Sequence, residues 1–305
     1  MSRFIRLTAA AATLIAAVPA LAADYGMYPE LRPAYPDEWA LSEDNPLRFE
    51  VGLRYWYSRG EQSAELGGET VSATDTSHLL EGHFRIEDLS TNSYLDGMAG
   101  YAIATDGEYS TAAAPGTVRF EGGQIGYAGA DFGYMPFGTD TVRIGGLIGY
   151  QYNRESPDMA RAELFDIDGL NIHSLRLGLT AKAELSDMFD VTAELAGIPY
   201  AHIWGSTPEY VFPDTTVGGL VVNRATGELN GAAYGGSAEL MVGVHPTENF
   251  TIRAGGRAWL IKGPATAEVT SYDAANPSVI NTVGLVVDEV LYRRLGALVE
   301  VTGRF

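Results

Sequence analysis

In ten stretches of this chain, apolar residues recur at every second position and polar residues lie between many of them. One of them, at 117–133, is interrupted; the nine regular ones are 47–57, 80–87, 94–103, 142–152, 175–184, 189–202, 234–245, 250–260 and 295–305. A period of two predicts β-strands that have one apolar face. Because the opposite face repeatedly carries charged residues, the pattern favours the strands of a membrane barrel, with lipid outside and a polar lumen inside.

The inward positions of these strands carry charges of both signs. In the first strand Phe49, Val51 and Leu53 share the apolar face, whereas Glu50 and Arg54 lie on the other. The residues that we expect to form a charge network in the lumen are Arg54, Arg85, Arg143, Arg176, Arg253, Arg257, Glu81, Glu194 and Glu239. Buried charges are tolerated when they are paired and hydrogen-bonded. The sequence therefore predicts a mostly filled lumen, with a narrow conducting pore as the alternative.

The interrupted stretch changes its phase in the middle. Val118 and Phe120 have one phase, whereas Ile125 and Tyr127 have the other. Gly122-Gly123 lies between these two pairs, and a glycine inside a strand pattern often marks a bulge. We therefore expect a β-bulge at this glycine pair.

Short and long connections alternate between the predicted strands. Short turns fall near residues 90, 136, 187 and 247, and the long connections are 58–77, 106–116, 155–168, 205–230 and 263–288. Outer-membrane barrels have short periplasmic turns and longer extracellular loops. The chain thus predicts an all-β fold, an antiparallel up-and-down transmembrane β-barrel of ten strands with both termini in the periplasm. Twelve strands are the alternative, if a long loop returns to the membrane.

The last hairpin is expected to be tall. Apolar residues recur within the connection 263–288, at Val269, Val283 and Leu285 among others. The apolar band of such a barrel is only about 25 Å high. We therefore expect the barrel to project outward beyond the membrane.

The closing stretch carries a recognisable ending. Val299 and Val301 lie on its apolar face, and the chain stops at the aromatic Phe305. This ending resembles the last strand of bacterial outer-membrane β-barrels, where such residues are the signal for the assembly machinery. The resemblance implies a location in the bacterial outer membrane, with membrane lipid and the assembly machinery as partners.

The beginning of the chain indicates export. Arg3 and Arg6 precede an apolar run of about a dozen residues, and a small-residue pattern ends at Ala22. This arrangement predicts a cleaved signal peptide at 1–22, because a spanning helix needs about 20 apolar residues. Residues 23–46 are rich in Pro and acidic residues, which predicts a periplasmic leader before the barrel at 47–305. A leader that folds into the barrel mouth as a plug is the alternative.

Composition and charge limit the partners. The 305 residues include 36 Gly and 17 Tyr but no Cys, and the formal net charge is −19. Such an acidic chain is not expected to bind nucleic acid. The sequence does not identify an extracellular ligand.

The length and the strand plan of 47–305 are similar to those of the omptins. These surface proteases carry an Asp pair and an Asp-His pair that face each other across the extracellular mouth. The motif fails here, because Asp-x-His is absent and the single Asp-x-Asp is Asp166-Ile167-Asp168, whose partner would be His173 or His202. We therefore transfer no catalytic residue and interpret Asp166 and Asp168 as solvated loop acids.

The remaining signals for chemistry are weak. His78, His83, His173 and His202 have no spacing that requires a metal site, so we expect them to be hydrogen-bonded in the lumen. There is no Gly-x-Ser-x-Gly elbow and no Walker-type loop, and we expect no cofactor. Three hypotheses follow: a non-enzymatic barrel in envelope integrity or loop-mediated contact, a narrow channel or small-solute transporter, and an omptin-like protease.

Overall fold

The structure is a computed structural model that describes residues 46–66, 68–111, 114–139, 141–156, 169–206, 209–276, 278 and 280–305. The predicted signal peptide and nearly all of the predicted leader, up to residue 45, lie outside the described residues. No helix in the described part of the chain is long and apolar enough to cross a membrane.

The described residues form twelve antiparallel strands. They are β1 (Leu47–Leu66), β2 (Glu69–Asp88), β3 (Ser93–Thr111), β4 (Ala114–Glu121), β5 (Gln124–Gly138), β6 (Val142–Ser156), β7 (Gly169–Ser186), β8 (Phe189–Ser206), β9 (Tyr210–Val217), β10 (Leu220–Thr247), β11 (Phe250–Tyr272) and β12 (Ile280–Arg304). Ten of them pair in a closed ring, and the short strands β4 and β9 are added to β3 and β10. The prediction of a ten-stranded antiparallel barrel is confirmed.

The first and last strands close the ring. β1 pairs with β12 from Glu50↔Arg304 to Glu65↔Glu289. Phe305 N donates to the Phe49 carbonyl at 2.9 Å, and Phe49 N donates to the Phe305 carbonyl at 3.1 Å. The end of the chain therefore belongs to the ladder that removes the free edges of the sheet.

The outer surface carries an apolar belt. Val51 and Leu53 are more than half exposed, as are many outward residues of the other strands. Tyr and His side chains lie at the edge of this belt that is farther from Leu47 and Phe305. There the Tyr150 hydroxyl forms a hydrogen bond with His173 Nδ1 at 2.6 Å. An apolar band with aromatic residues at its edge is the surface of a protein that spans lipid.

Four of the predicted long loops, 58–77, 106–116, 205–230 and 263–288, are largely strand where they are described, which corrects the boundaries drawn from the sequence. Residues 157–168 of the other predicted loop lie outside the described residues. The connection 58–77 is strand except at 67–68, and the strands around 263–288 run to Tyr272 and begin again at Ile280. The part above the apolar belt faces water on the outside. Many of its outward residues are polar, so the alternation fades while the hydrogen-bonded ladder continues. The expectation of a tall barrel agrees with these strand lengths.

Two irregularities change which residues face inward. Gly122 and Gly123 have φ of 89° and 113° and separate β4 from β5, where the sequence predicts a bulge. A register shift between β7 and β8 near Leu175 reverses the phase of β8 after Gly197. Tyr200 is therefore 54% exposed, and His202 faces outward instead of into the lumen, where the sequence predicts it.

Candidate functional site in the barrel lumen

The end of the barrel that holds Leu47 and Phe305 is predicted to be periplasmic, and its lumen contains a dense ion-pair network. Arg253 bonds Asp190 at 2.9 Å and Glu300 at 2.8 Å. Arg304 pairs with Glu50 at 2.7 Å beside them. All of these groups project from the inward positions of β1, β8, β11 and β12, so the network is a consequence of strand register.

The centre of the network joins residues that are far apart in sequence. Arg257 bonds Glu81 and Glu239, each at 2.6 Å. Arg54 lies 3.1 Å from Glu81 and also pairs with Glu300. Glu81 and Glu300 have side chains with no exposed surface. Each buried carboxylate is thus compensated by more than one guanidinium, which is what a buried charge requires.

Arg176 forms a second centre on the facing wall. It bonds Asp131 at 2.5 Å and also pairs with Glu194. Nearby, Arg143 pairs with Glu87 at 2.8 Å. These contacts tie β7 to β5 and β8, and they tie β6 to β2 across the lumen.

The structure brings all nine predicted network residues into ion pairs. Arg85 is among them, at 3.6 Å from Asp96 and with its guanidinium 3.7 Å from the ring centroid of Tyr94. The sequence missed Asp131, because the phase of the interrupted stretch could not be followed across Gly122-Gly123. Any role of this network other than stabilising the barrel is a proposal.

An aromatic layer lies above this network. Trp56 and Trp259 follow Arg54 and Arg257 by two positions on their strands, so they point into the lumen one level higher. The rings of Trp56, Trp259 and Tyr127 meet edge to face, with centroids 4.8–5.8 Å apart. The buried residues packed beside them include Leu79, Met241 and Leu298. This layer interrupts the polar lumen with tightly packed apolar groups.

A buried polar cluster follows on the extracellular side of that layer. Arg294 bonds Asp75 at 2.9 Å and Glu155 at 2.7 Å, and it also donates to Ser58 Oγ at 2.9 Å. The Tyr292 hydroxyl donates to Glu155 at 2.8 Å. The sequence prediction missed Asp75 and Glu155 because both fall in stretches that it assigned to loops.

The mouth above this cluster is lined mainly by apolar side chains. They come from several strands of the ring and include Val71, Ala73, Leu170, Leu229, Val287 and Val290. Gln62 lies at the boundary, where its amide donates to Glu155 at 3.3 Å. The lumen thus changes from charged to aromatic, then to polar, and finally to apolar at the extracellular end.

An exposed hydrogen bond and an exposed ion pair connect the strands at the rim beside this mouth. Glu209 accepts a hydrogen bond from the Tyr272 hydroxyl and pairs with Arg224, which joins β9, β10 and the end of β11. The Tyr272 hydrogen bond, followed by the Arg224 bond and charge, lowers the pKa of Glu209. The contact is therefore formed at neutral pH.

The histidines do not form a catalytic or metal site among the described residues. His78, His173 and His202 lie on the outer surface, so the expectation that they are hydrogen-bonded in the lumen is wrong for these three. His83 and His245 face the lumen, where they lie 3.7 Å from Glu300 and 3.2 Å from Asp190 in the periplasmic half. No group of three or more metal-binding side chains occurs in the part of the chain that the structure describes.

The closing strand places the predicted assembly residues on the outside. Val299 and Val301 are about half exposed within the apolar belt, and Phe305 is exposed at the end of the chain. Their proposed role as a signal for the assembly machinery stays a prediction.

The closed ring, the apolar belt and the charged lumen define the class of an outer-membrane β-barrel, in agreement with the predicted outer-membrane location. Among solved structures, the chain is similar to the outer membrane protease OmpT from Escherichia coli, with a TM-score of 0.57 and 12% identity over 87% of this chain and 98% of that chain. At this identity the similarity shows the fold alone.

Weaker similarities are to the toluene transporter TodX of P. putida and the transport unit of the autotransporter AIDA-I of Escherichia coli. Their TM-scores are 0.29 and 0.28, at 9% and 10% identity, over 89% and 84% of this chain and 93% and 90% of theirs. No protein-family model matches the chain, and no curated protein gives a significant match. The chain is thus assigned to a fold, and its activity has to be argued from its own residues.

Proposed function

We propose that this protein is a non-conducting, non-enzymatic outer-membrane barrel that acts through its extracellular end, in envelope integrity or in contact with an external ligand. The aromatic layer carries this proposal. Trp56 has no exposed surface, and Trp259 and Tyr127 have at most 5%. This close packing supports a lumen that is closed to water at their level.

The ion pairs below the layer support the same function. A conducting pore would be favoured by arginines that form a ladder beside an acidic wall. Here Arg54, Arg176 and Arg257 each bond carboxylates locally. The charges are therefore compensated by neighbouring side chains inside the lumen, which favours rigidity over ion passage.

The protease alternative finds no support in the described part of the mouth. Hydrolysis by activated water needs a general base that is oriented towards the substrate. His173 and His202 point to the outer surface, and the inward residues near the rim are mainly apolar. Asp166 and Asp168 lie outside the described residues.

Single-channel recording of the refolded mature protein in a planar bilayer tests the proposal. Barrel formation is first established by the heat-dependent shift in gel mobility. We expect a folded protein that gives no discrete openings at any applied voltage that the bilayer tolerates. Reproducible unitary currents from the folded wild type would overturn the proposal and favour the channel alternative.

A further inference from the structure

The extracellular mouth contains an apolar pocket that the closed lumen does not explain. A cavity of about 110 Å³ is lined mainly by apolar residues such as Ala73, Leu170, Leu229, Val287 and Val290. The polar residues in its lining are Gln62, Ser63, Ser72, Ser206 and Glu228. Several of these side chains are almost completely shielded from water, for example Leu170 at 1% and Val290 at 2% exposure. The cavity opens away from the periplasmic end.

The floor of the pocket offers little to a polar or charged ligand. Arg294, Asp75, Glu155 and Tyr292 lie beneath it and bond one another. Gln62 is directed to the same cluster through its bond with Glu155. These floor groups already have protein partners, so the apolar part of the walls would recognise a ligand by shape and by exclusion of water.

We propose that this pocket binds a small uncharged molecule whose apolar part is about the size of a benzene ring. An apolar cavity of about 150 Å³ in another protein takes up benzene, and a site of 110 Å³ that is open on one side is close to that size. A polar end of the ligand would extend to the solvent past the rim. The inference deepens the proposed function and rests on it, because the closed lumen provides the floor.

Fluorobenzene is the probe, and its ¹⁹F line width is titrated against the refolded barrel in phosphatidylcholine nanodiscs. Empty nanodiscs give the contribution of partition into lipid. We expect a saturable component with a Kd of about 1 mM or tighter, in the range that a ligand of this size can reach.

Two neighbouring valines provide a matched pair of variants. Val287 lines the pocket and is 3% exposed, whereas Val286 is 71% exposed on the outside of the same strand. Val287→Asn should weaken binding at least ~10-fold, because the amide introduces a polar group that the ligand would leave unsatisfied. Val286→Asn should leave the titration unchanged.

A second variant keeps the test valid if Val287→Asn does not fold. Ala267→Leu adds volume to the pocket wall without adding polarity and should abolish the saturable component. Absence of a saturable component in the wild type, or equal binding by the Val287, Ala267 and Val286 variants, would overturn the inference. Failure of the proposed function would appear separately, as conductance of the wild type.

Discussion

At the scale of the residue, Glu81 shows how the lumen accommodates charge. Its side chain has no exposed surface, and it accepts hydrogen bonds from Arg54, Arg257 and the Tyr127 hydroxyl. Taking a carboxylate out of water is costly unless such partners replace the hydration. The residue therefore connects the charge network to the aromatic layer.

Replacing Glu81 with Ala should lower the free energy of unfolding by about 3–5 kcal/mol, because two arginines would stay buried without their shared carboxylate. Urea titration of the folded barrel in detergent measures this change. Glu108→Ala is the control, since Glu108 pairs with an exposed Arg119 at 3.5 Å. Such an exposed pair contributes about 1 kcal/mol or less. Similar losses for the two variants would contradict the expected importance of burial.

Gly60 shows that a small side chain is required beside the extracellular polar cluster. An added Cβ would lie 2.3 Å from Asp75 Oδ2 and 2.4 Å from Arg294 Nη2. Gly60→Ala should therefore separate this ion pair and cost about 1–3 kcal/mol of stability. Gly82→Ala is the matched control, because nothing lies within 4 Å of its Cβ position. If thermal or urea unfolding shows the same stability for both variants, the cluster is not tightly packed.

At the scale of the element, β12 combines closure of the barrel with the predicted assembly signal. Its inward residues Arg294 and Glu300 belong to the charge clusters, and its outward residues belong to the apolar belt. Closure depends on backbone bonds, which any side chain at the last position allows. The two contributions of this strand can therefore be separated experimentally.

Phe305→Ala should change the stability of the refolded barrel by less than about 1 kcal/mol, because the ring is 76% exposed. If the assembly machinery recognises the Phe305 ring, the amount of barrel assembled in the outer membrane of cells should fall severalfold. Fractionation followed by the gel-mobility assay measures this amount. Phe137→Ala, at a ring that is 70% exposed on β5, is the control and should assemble normally. Normal assembly of Phe305→Ala would refute the signal.

At the scale of the whole molecule, four layers of different chemistry line the lumen. Each layer draws on strands from several sides of the ring. Trp56 is on β1, Tyr127 on β5 and Trp259 on β11, so the aromatic layer exists only when the barrel is closed. The contacts of this layer therefore depend on closure of the ring.

The double substitution Trp56→Ala, Trp259→Ala should open a hydrated path at this level and give flickering currents in planar bilayers. Tyr57→Ala, Tyr234→Ala is the control, because both rings lie on the outer surface. Each buried Trp→Ala substitution costs about 3–5 kcal/mol. Gel mobility must therefore show that the variant is folded before recording. A folded but silent double variant would mean that another layer is the barrier.

The strands and the main charged residues of the lumen could be predicted, because within lipid the two faces of each strand meet different solvents. Gln62, Asp75 and Glu155 could not be placed in the lumen. They lie above the belt, where both faces meet polar surroundings and the alternation no longer distinguishes inside from outside. His202 was predicted on the wrong face because the register shift near Gly197 reverses the phase of β8 without a composition signal.

The sequence by itself determined that this chain forms a barrel for lipid, and which face of most strands turns inward, because a period of two records directly which solvent each face meets. Only the tertiary structure decided which charges pair. Glu81 and Arg257 are 176 positions apart and meet because closure brings their strands to one lumen. It likewise decided that an aromatic layer closes the lumen and that an apolar pocket faces outward, since both depend on how the strands are staggered around the ring.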